Sequence, residues 1–300
     1  MSKIKSPFQL VGLFILGIIN QVTAQPITAY AKEIEQWNQK RVEHLKAEKG
    51  WLNLAGLFWL EPGVQTFGSD TKNNLVFPKG TIPATAGKLY RVNNTVYLLP
   101  AKQVDFTIDG KLVKDSVLIF DEKANTPVIA YNNLRFTIIK RADKLGVRLR
   151  DLSSAAITNF KGIDRYKTDS TWRVQASLLK NNPLTSIAIT NVLGQTNETA
   201  YGGKVTFTIN NNRYTLDAID EGNEILLVFG DKTTGKTTYH GGRFISIPKN
   251  QLADSFIVDF NKAYNPPCVF TPYATCPLPP SQNILPLAIT AGEKNYGKHE

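Results

Sequence analysis

The stretch Lys88-Leu-Tyr-Arg-Val92, Asn93-Asn94, Thr95-Val-Tyr-Leu-Leu99 decides the fold class. Two runs rich in β-branched and aromatic residues flank a pair of asparagines. Asparagine tolerates the left-handed backbone that a two-residue hairpin needs. The same grammar recurs around it. Val64–Phe67, Leu75–Phe77, Val104–Ile108, Val117–Phe120, Val128–Tyr131 and Leu134–Ile139 read as short strands, with Asp109-Gly110 and Asn132-Asn133 as further hairpin turns. Downstream the reading repeats over Trp172–Leu178, Ser186–Val192, Val205–Ile209, Arg213–Ile219, Glu224–Phe229, Lys236–Tyr239 and Arg243–Ile247. Short strands joined by tight turns describe an antiparallel meander, curled into a barrel or packed as a sandwich.

One segment reads as a helix. Over Ile27–Lys49, the residues Tyr30, Ile34, Trp37, Val42 and Leu45 recur along one side, and Gly50 is suited to a left-handed cap. Trp51–Leu60 follows with Asn53 as its one polar member, which predicts a strand buried on both faces. The predicted architecture is therefore all-β with one N-terminal α-helix at 25–50. A small β-sandwich follows over 51–150, then an antiparallel β domain over 151–296.

That second domain is expected to be closed by an irregular segment over 259–293, before a short tail at 297–300. Val258–Pro280 holds both cysteines, Cys268 and Cys276, and six of the sixteen prolines. Prolines fix φ and remove backbone donors, so this stretch is predicted to form neither a helix nor a central strand. Its apolar residues require a large surface to pack on, and the meander is that surface.

The composition is that of a folded globular protein, with 42% hydrophobic and 10% aromatic residues. Lys3 and Lys5 precede the apolar run Leu10–Ile19, which falls short of the ~20 residues that span a bilayer. Small residues at Val22-Thr23-Ala24 complete a signal peptide over 1–24. Cleavage after Ala24 and export to the periplasm or beyond are expected, with no membrane insertion afterwards. The formal charge of +10 becomes +8 when Lys3 and Lys5 leave with the leader. The basic residues are scattered rather than clustered, so nucleic acid is not an expected partner.

Candidate site residues fall into three groups. Arg148 and Arg150 alternate onto one face of a strand beside Asp151. Two adjacent guanidiniums can hold a carboxylate or phosphate, or can pair with acids in a structural network. The closing segment supplies Asp259, Asn261, Tyr264, Asn265, Tyr273, Asn283 and Glu293, and Arg243 precedes it. Each Asn or Asp can equally cap a turn, and each Tyr can tie a loop to backbone. Cys268 and Cys276 are placed for a disulfide across seven intervening residues. Buried reduced thiols, a redox-active pair and half of a metal site are the rival readings. With only His44, His240 and His299 in the chain, no metal centre is expected, and no motif implies a cofactor.

Two resemblances attach to these residues. Gly68-Ser-Asp70, Asn73-Asn-Leu-Val-Phe77, Val96-Tyr-Leu98 and Phe106-Thr-Ile-Asp-Gly110 resemble part of a forkhead-associated domain. Ser69 stands where that family has an Arg, and no Ser-x-x-His follows. The resemblance thus implies a β-sandwich without phosphothreonine reading. Over nearly the whole mature chain, Trp51-Leu…Leu57-Phe-Trp-Leu60, Arg148…Arg150-Asp151, Gly242-Arg-Phe244 and Asp259-Phe-Asn…Tyr264-Asn-Pro-Pro-Cys268…Cys276-Pro-Leu-Pro-Pro280…Asn283…Ala291-Gly-Glu293 resemble the bacterial family called domain of unknown function 1684. That resemblance implies no established activity. Its members have Tyr-Gly where this chain has Tyr239-His240, which argues against His240 as a catalytic base. Cytoplasmic relatives with the same cysteines imply that a bridge is optional.

Two functions are expected to compete. The first is a small-molecule-binding or structural module, its ligand small and anionic or polar, centred on the closing segment. The second is a hydrolase using carboxylate, Arg and Tyr residues there, with Arg148, Arg150, Asp151, Asp259, Tyr264 and Glu293 as catalytic candidates. Nothing in the chain fixes the oligomeric state.

Overall fold

The computed structural model describes residues 28–141, 143–179 and 184–297. The leader expected at 1–24 and the end of the tail lie outside the described residues. Among the described residues no helix is long and apolar enough to cross a membrane.

Helix α1 spans Ala29–Lys46, with Thr28 Oγ1 accepting the Ala31 N–H at its start. It ends at Lys46 rather than Lys49, and its end has no left-handed glycine: Ala47 turns extended. Gly50 serves closeness instead, because an added Cβ would meet Leu45 O at 2.2 Å. The strands in chain order are β1 (Leu54–Trp59), β2 (Gly63–Gly68), β3 (Leu75–Val76), β4 (Gly87–Val92), β5 (Thr95–Pro100), β6 (Thr107–Ile108), β7 (Lys111–Leu112), β8 (Val117–Asp121), β9 (Ile129–Tyr131), β10 (Leu134–Arg141) and β11 (Lys144–Asp151). Helix α2 (Ala155–Asn159) follows, then β12 (Arg173–Leu179), β13 (Ser186–Thr190), β14 (Thr196–Ile209), β15 (Asn212–Asp220), β16 (Glu224–Phe229), β17 (Arg243–Pro248) and β18 (Phe256–Asp259).

The first eleven strands form two sheets, β1-β11-β10-β9-β6-β7 and β3-β2-β4-β5-β8, around one core. Phe67, Phe77, Phe106 and Phe136 meet there with ring centroids 5.4 to 6.0 Å apart. The turns are as the sequence predicts. Asn93, Asp109 and Asn132 sit at φ of 51°, 49° and 47°, in the left-handed region that short polar side chains accept. β1 differs from expectation. It begins at Leu54 and buries Leu54 and Gly56, leaving its other residues half-exposed or only partly covered.

The later strands form the sheet β17-β16-β15-β14-β12-β18, with β13 alongside β14. Phe244 and Tyr264 each donate a backbone N–H to the other's carbonyl at 2.9 Å. That bridge returns β17 to the chain just past β18 and nearly closes the sheet into a barrel. Alternate residues, among them Phe207, Leu216, Leu227, Phe229, Ile245 and Val258, fill its interior. On the outside, Ile219, Leu226, Val228 and Phe244 are covered by Ala274 and Cys276 of the closing segment. β16 is apolar along its length because both its faces are thus buried.

Three local readings change. β14 reaches back to Thr196, since its polar first half pairs with β13 as an exposed ribbon that no apolar alternation marks. Lys236–Tyr239 is no strand but part of a knot of turns, in which the Thr233 and Thr238 hydroxyls lie 2.9 Å apart. The closing segment begins as β18, at the end of the strand order, and continues through the one-turn 3-10 helices Phe260–Lys262, Pro267–Val269 and Ser281–Asn283. An end strand and single tight turns are what a proline-rich chain tolerates.

Candidate functional site

Helix α1 lies across the barrel and leaves a cleft of about 860 Å³ between them. Trp37, Trp51, Phe244 and Tyr264 give it apolar walls, and Lys40 and Arg173 stand beside them. The spacing of Tyr30, Ile34, Trp37, Arg41 and Leu45 puts these side chains on one helix face. Ile34 and Leu45 are buried, and Arg41 is the cation within that otherwise apolar stripe.

Arg41 organises the floor. Its Nε lies 3.2 Å from Glu293 Oε1, its Nη2 donates to Asn265 O at 2.9 Å, and its guanidinium carbon sits 4.6 Å above the Tyr264 ring. Glu293, 0% exposed, accepts the Asn265 N–H on its other oxygen at 2.6 Å. Arg165 Nη1 lies 3.9 Å from Glu293 Oε1, and Arg165 also donates to Asn261 O. Burial holds the Arg165 guanidinium below its ordinary pKa. Asn261 donates to the Asp169 carbonyl at 2.8 Å, and its Oδ1 accepts the Asp169 N–H at 3.0 Å. Asp259 Oδ1 accepts from the Tyr30 hydroxyl at 2.8 Å and caps the next turn through the Asn261 N–H at 3.0 Å. Burial, reinforced by the Asp259 carboxylate, pushes the Tyr30 phenol pKa upward. Asp259 Oδ2 is buried without a hydrogen-bond partner.

The predicted site residues therefore divide. Asp259 and Tyr264 line the cleft, while Asn261, Asn265 and Glu293 form the network beneath it. Arg148 and Arg150 do not join them. They belong to β11, where Arg150 donates to Gly50 O and, at 2.7 Å, to Asn53 Oδ1. Arg148 lies 5.8 Å from the Trp51 ring centroid with a buried, unpartnered Nε. Burial, with repulsion from Arg141 and Arg150, brings its pKa down to about 10. Asp151 caps a turn, accepting the Ser153 N–H at 2.9 Å and hydroxyl at 2.6 Å.

Two proposed binding residues are core residues instead. Arg243 is 0% exposed; it pairs with Asp231 at 2.7 Å and donates to the carbonyls of Ala291 and Ile289. Asn283 clips the closing segment to the barrel, donating to Asp217 O and Val228 O and accepting the Asp217 N–H, each at 2.8 Å. Apart from Arg243 Nε, these buried polar groups are held by partners inside the fold. Tyr273 sits half-buried at a turn, its N–H donating to Thr271 Oγ1. Of the carboxylates proposed for a hydrolase, Glu293 has both oxygens engaged inside the fold, while Asp259 keeps Oδ2 without a hydrogen-bond partner.

The cysteines are close but not bridged. The Cys268 N–H donates to Cys276 Sγ at 3.1 Å, and the Tyr239 hydroxyl donates to Cys268 Sγ at 3.7 Å. Sequence reasoning missed Lys40, Arg41, Arg165, Asp169 and Arg173. A cation on the apolar face of α1 was the one legible signal, at Arg41; Lys40 and Arg173 are ordinary exposed cations of α1 and β12, and Arg165 and Asp169 lie on the connection between α2 and β12.

Residues 158–294 match the model of a family described as a protein of unknown function, DUF1684. The matched stretch contains the barrel and its closing segment, so the resemblance of Trp51–Leu60, Gly68–Asp70 and Arg148–Asp151 lies outside it. No curated protein matches the chain. A solution structure of an uncharacterised protein from Haloarcula marismortui is 29% identical, with 46% of this chain and 78% of that chain covered and a TM-score of 0.38. The crystal structure of the FHA domain of the CT664 protein from Chlamydia trachomatis is 16% identical, covering 32% of this chain and 94% of that chain at a TM-score of 0.22.

Proposed function

We propose that this is an exported protein that binds a small anionic molecule in the cleft between α1 and the barrel. The observation that carries the reading is a pair of cations, Lys40 and Arg173, beside aromatic walls. They line the cleft and join no ion pair among the described residues, Arg173 lying 5.9 Å from the Tyr30 ring centroid. Lys262, by contrast, is neutralised by Glu33 at 2.7 Å, and Arg41 by Glu293. A volume of about 860 Å³ suits a small organic ligand. Trp37 and Trp51 offer faces for a flat apolar body, and a carboxylate or phosphate head would meet Lys40 and Arg173. Export is supported by the charged, apolar and small-residue regions of 1–24. Scattered basic residues favour a small ligand over nucleic acid.

The test is a thermal-shift and calorimetric screen of aromatic carboxylates and phosphate esters against their neutral amide or alcohol isosteres. The anions are expected to bind and their isosteres not to. Equal binding of both, or of neither, removes the reading.

A further inference from the structure

We propose that Cys268 and Cys276 form a dithiol that exchanges with small-molecule disulfides, Cys268 attacking and Cys276 resolving. The two sulfurs differ in access. Cys268 is half-buried at the first turn of Pro267–Val269, one residue past Pro267, which lines the cleft. Cys276 is buried against Leu226, Val228 and Phe244.

Each sulfur accepts a hydrogen bond, Cys268 Sγ from a side-chain hydroxyl and Cys276 Sγ from the Cys268 N–H at 3.1 Å. The Tyr239 hydroxyl donates to Cys268 Sγ at 3.7 Å. Hydrogen bonds to a sulfur favour its thiolate, which is the nucleophile in exchange. The Cys276 contact outweighs burial and holds the Cys268 thiol below its ordinary pKa. The same contact, with burial, pushes Cys276 upward.

The exchange balances in two steps. The Cys268 thiolate attacks one sulfur of a disulfide R–S–S–R, forming a mixed disulfide as the old S–S bond breaks, and the leaving thiolate takes a proton from solvent. Cys276 then releases its proton to solvent, and its sulfur attacks Cys268 Sγ and expels the second thiolate. The protein dithiol is oxidised to a disulfide, and the substrate disulfide is reduced to two thiols. Seven intervening residues and the existing 3.1 Å approach of Cys276 Sγ to Cys268 N keep the resolving sulfur at hand.

The experiment uses the full chain, reduced and desalted, with oxidised glutathione as the probe and intact mass as the readout. Wild type is expected to lose two hydrogens and retain no adduct, and excess reduced glutathione should restore the dithiol. Cys276→Ser is expected to keep one glutathione, mapped to Cys268, while folded Cys268→Ser takes up label at least ~10-fold more slowly. Should Cys276→Ser unfold by circular dichroism, acid quenching of wild type at early times should trap the same mixed disulfide. Wild-type thiols that stay unreacted, a bridge that excess reduced glutathione cannot reopen, or equal labelling of the two variants would each overturn the proposal.

Discussion

Arg41 and Glu293, 252 positions apart in the chain, are joined inside the protein by Arg41 Nε and Glu293 Oε1 at 3.2 Å. The pair ties α1 to the end of the closing segment, and the second Glu293 oxygen fixes the backbone of Asn265. Glu293→Gln keeps the shape of the side chain but leaves Arg41 and Arg165 without their anion. Breaking a buried pair in this way costs roughly 3–5 kcal/mol. Urea denaturation should show a midpoint lowered accordingly. A variant as stable as wild type would mean that the pair is energetically idle.

Arg148 and Arg150 should respond in opposite directions. Arg150 makes two hydrogen bonds from a charged group, and Arg150→Gln should lose about 1.5–3 kcal/mol. Arg148 carries its charge into partial burial, and its pKa is lowered to about 10. A depressed cation is a cost in the folded state, one relieved as pH rises through that value. Screening of a half-buried group limits this cost to about 1 kcal/mol or less. Arg148→Met is therefore expected to leave the melting temperature unchanged or raise it by roughly 2 °C. A large loss on Arg148→Met would show that its guanidinium has an anionic partner in solution.

Acid stability should depend on Asp217. Burial raises its pKa, but hydrogen bonds from Lys204, Tyr201 and Gln282 prevail and hold it below the ordinary value. A carboxylate depressed in the folded state stabilises above its unfolded pKa of about 3.9, and that contribution is lost as pH falls through the lower folded value. Wild type should thus lose stability below about pH 4, and Asp217→Asn should flatten that part of the profile. Parallel profiles for the two proteins would count against Asp217 as a source of the acid response.

Charge reversal at the cleft separates ligand binding from folding. Lys40 and Arg173 are exposed and, among the described residues, in no ion pair, so Lys40→Glu with Arg173→Glu should change stability by no more than about 0.5 kcal/mol. Affinity for an anionic ligand found in the screen should fall at least ~10-fold, since two charge-assisted contacts become repulsive. In the wild type, added salt should weaken binding progressively. Binding that ignores both changes would place the ligand elsewhere.

The hairpins were legible before any coordinates, because Asn93, Asp109 and Asn132 answer a local steric demand that neighbouring residues alone impose. The face of α1 and the all-apolar β16 were legible for the same reason: periodicity of two or three to four residues is written along the chain. The identity of the closing segment as a cover was also readable, since its prolines forbid regular structure while its apolar side chains require burial. What each polar residue of that segment does was not readable. Asp259, Asn261, Asn265, Asn283 and Glu293 look alike in sequence, as polar residues in an apolar stretch. Only the fold sets Glu293 against Arg41, Asn283 across Asp217 and Val228, and Asp259 beneath Tyr30. Burial removes water as an alternative partner, so each of these groups takes its role from whichever donor or acceptor the tertiary structure brings within about 3 Å, across as many as 252 residues of chain.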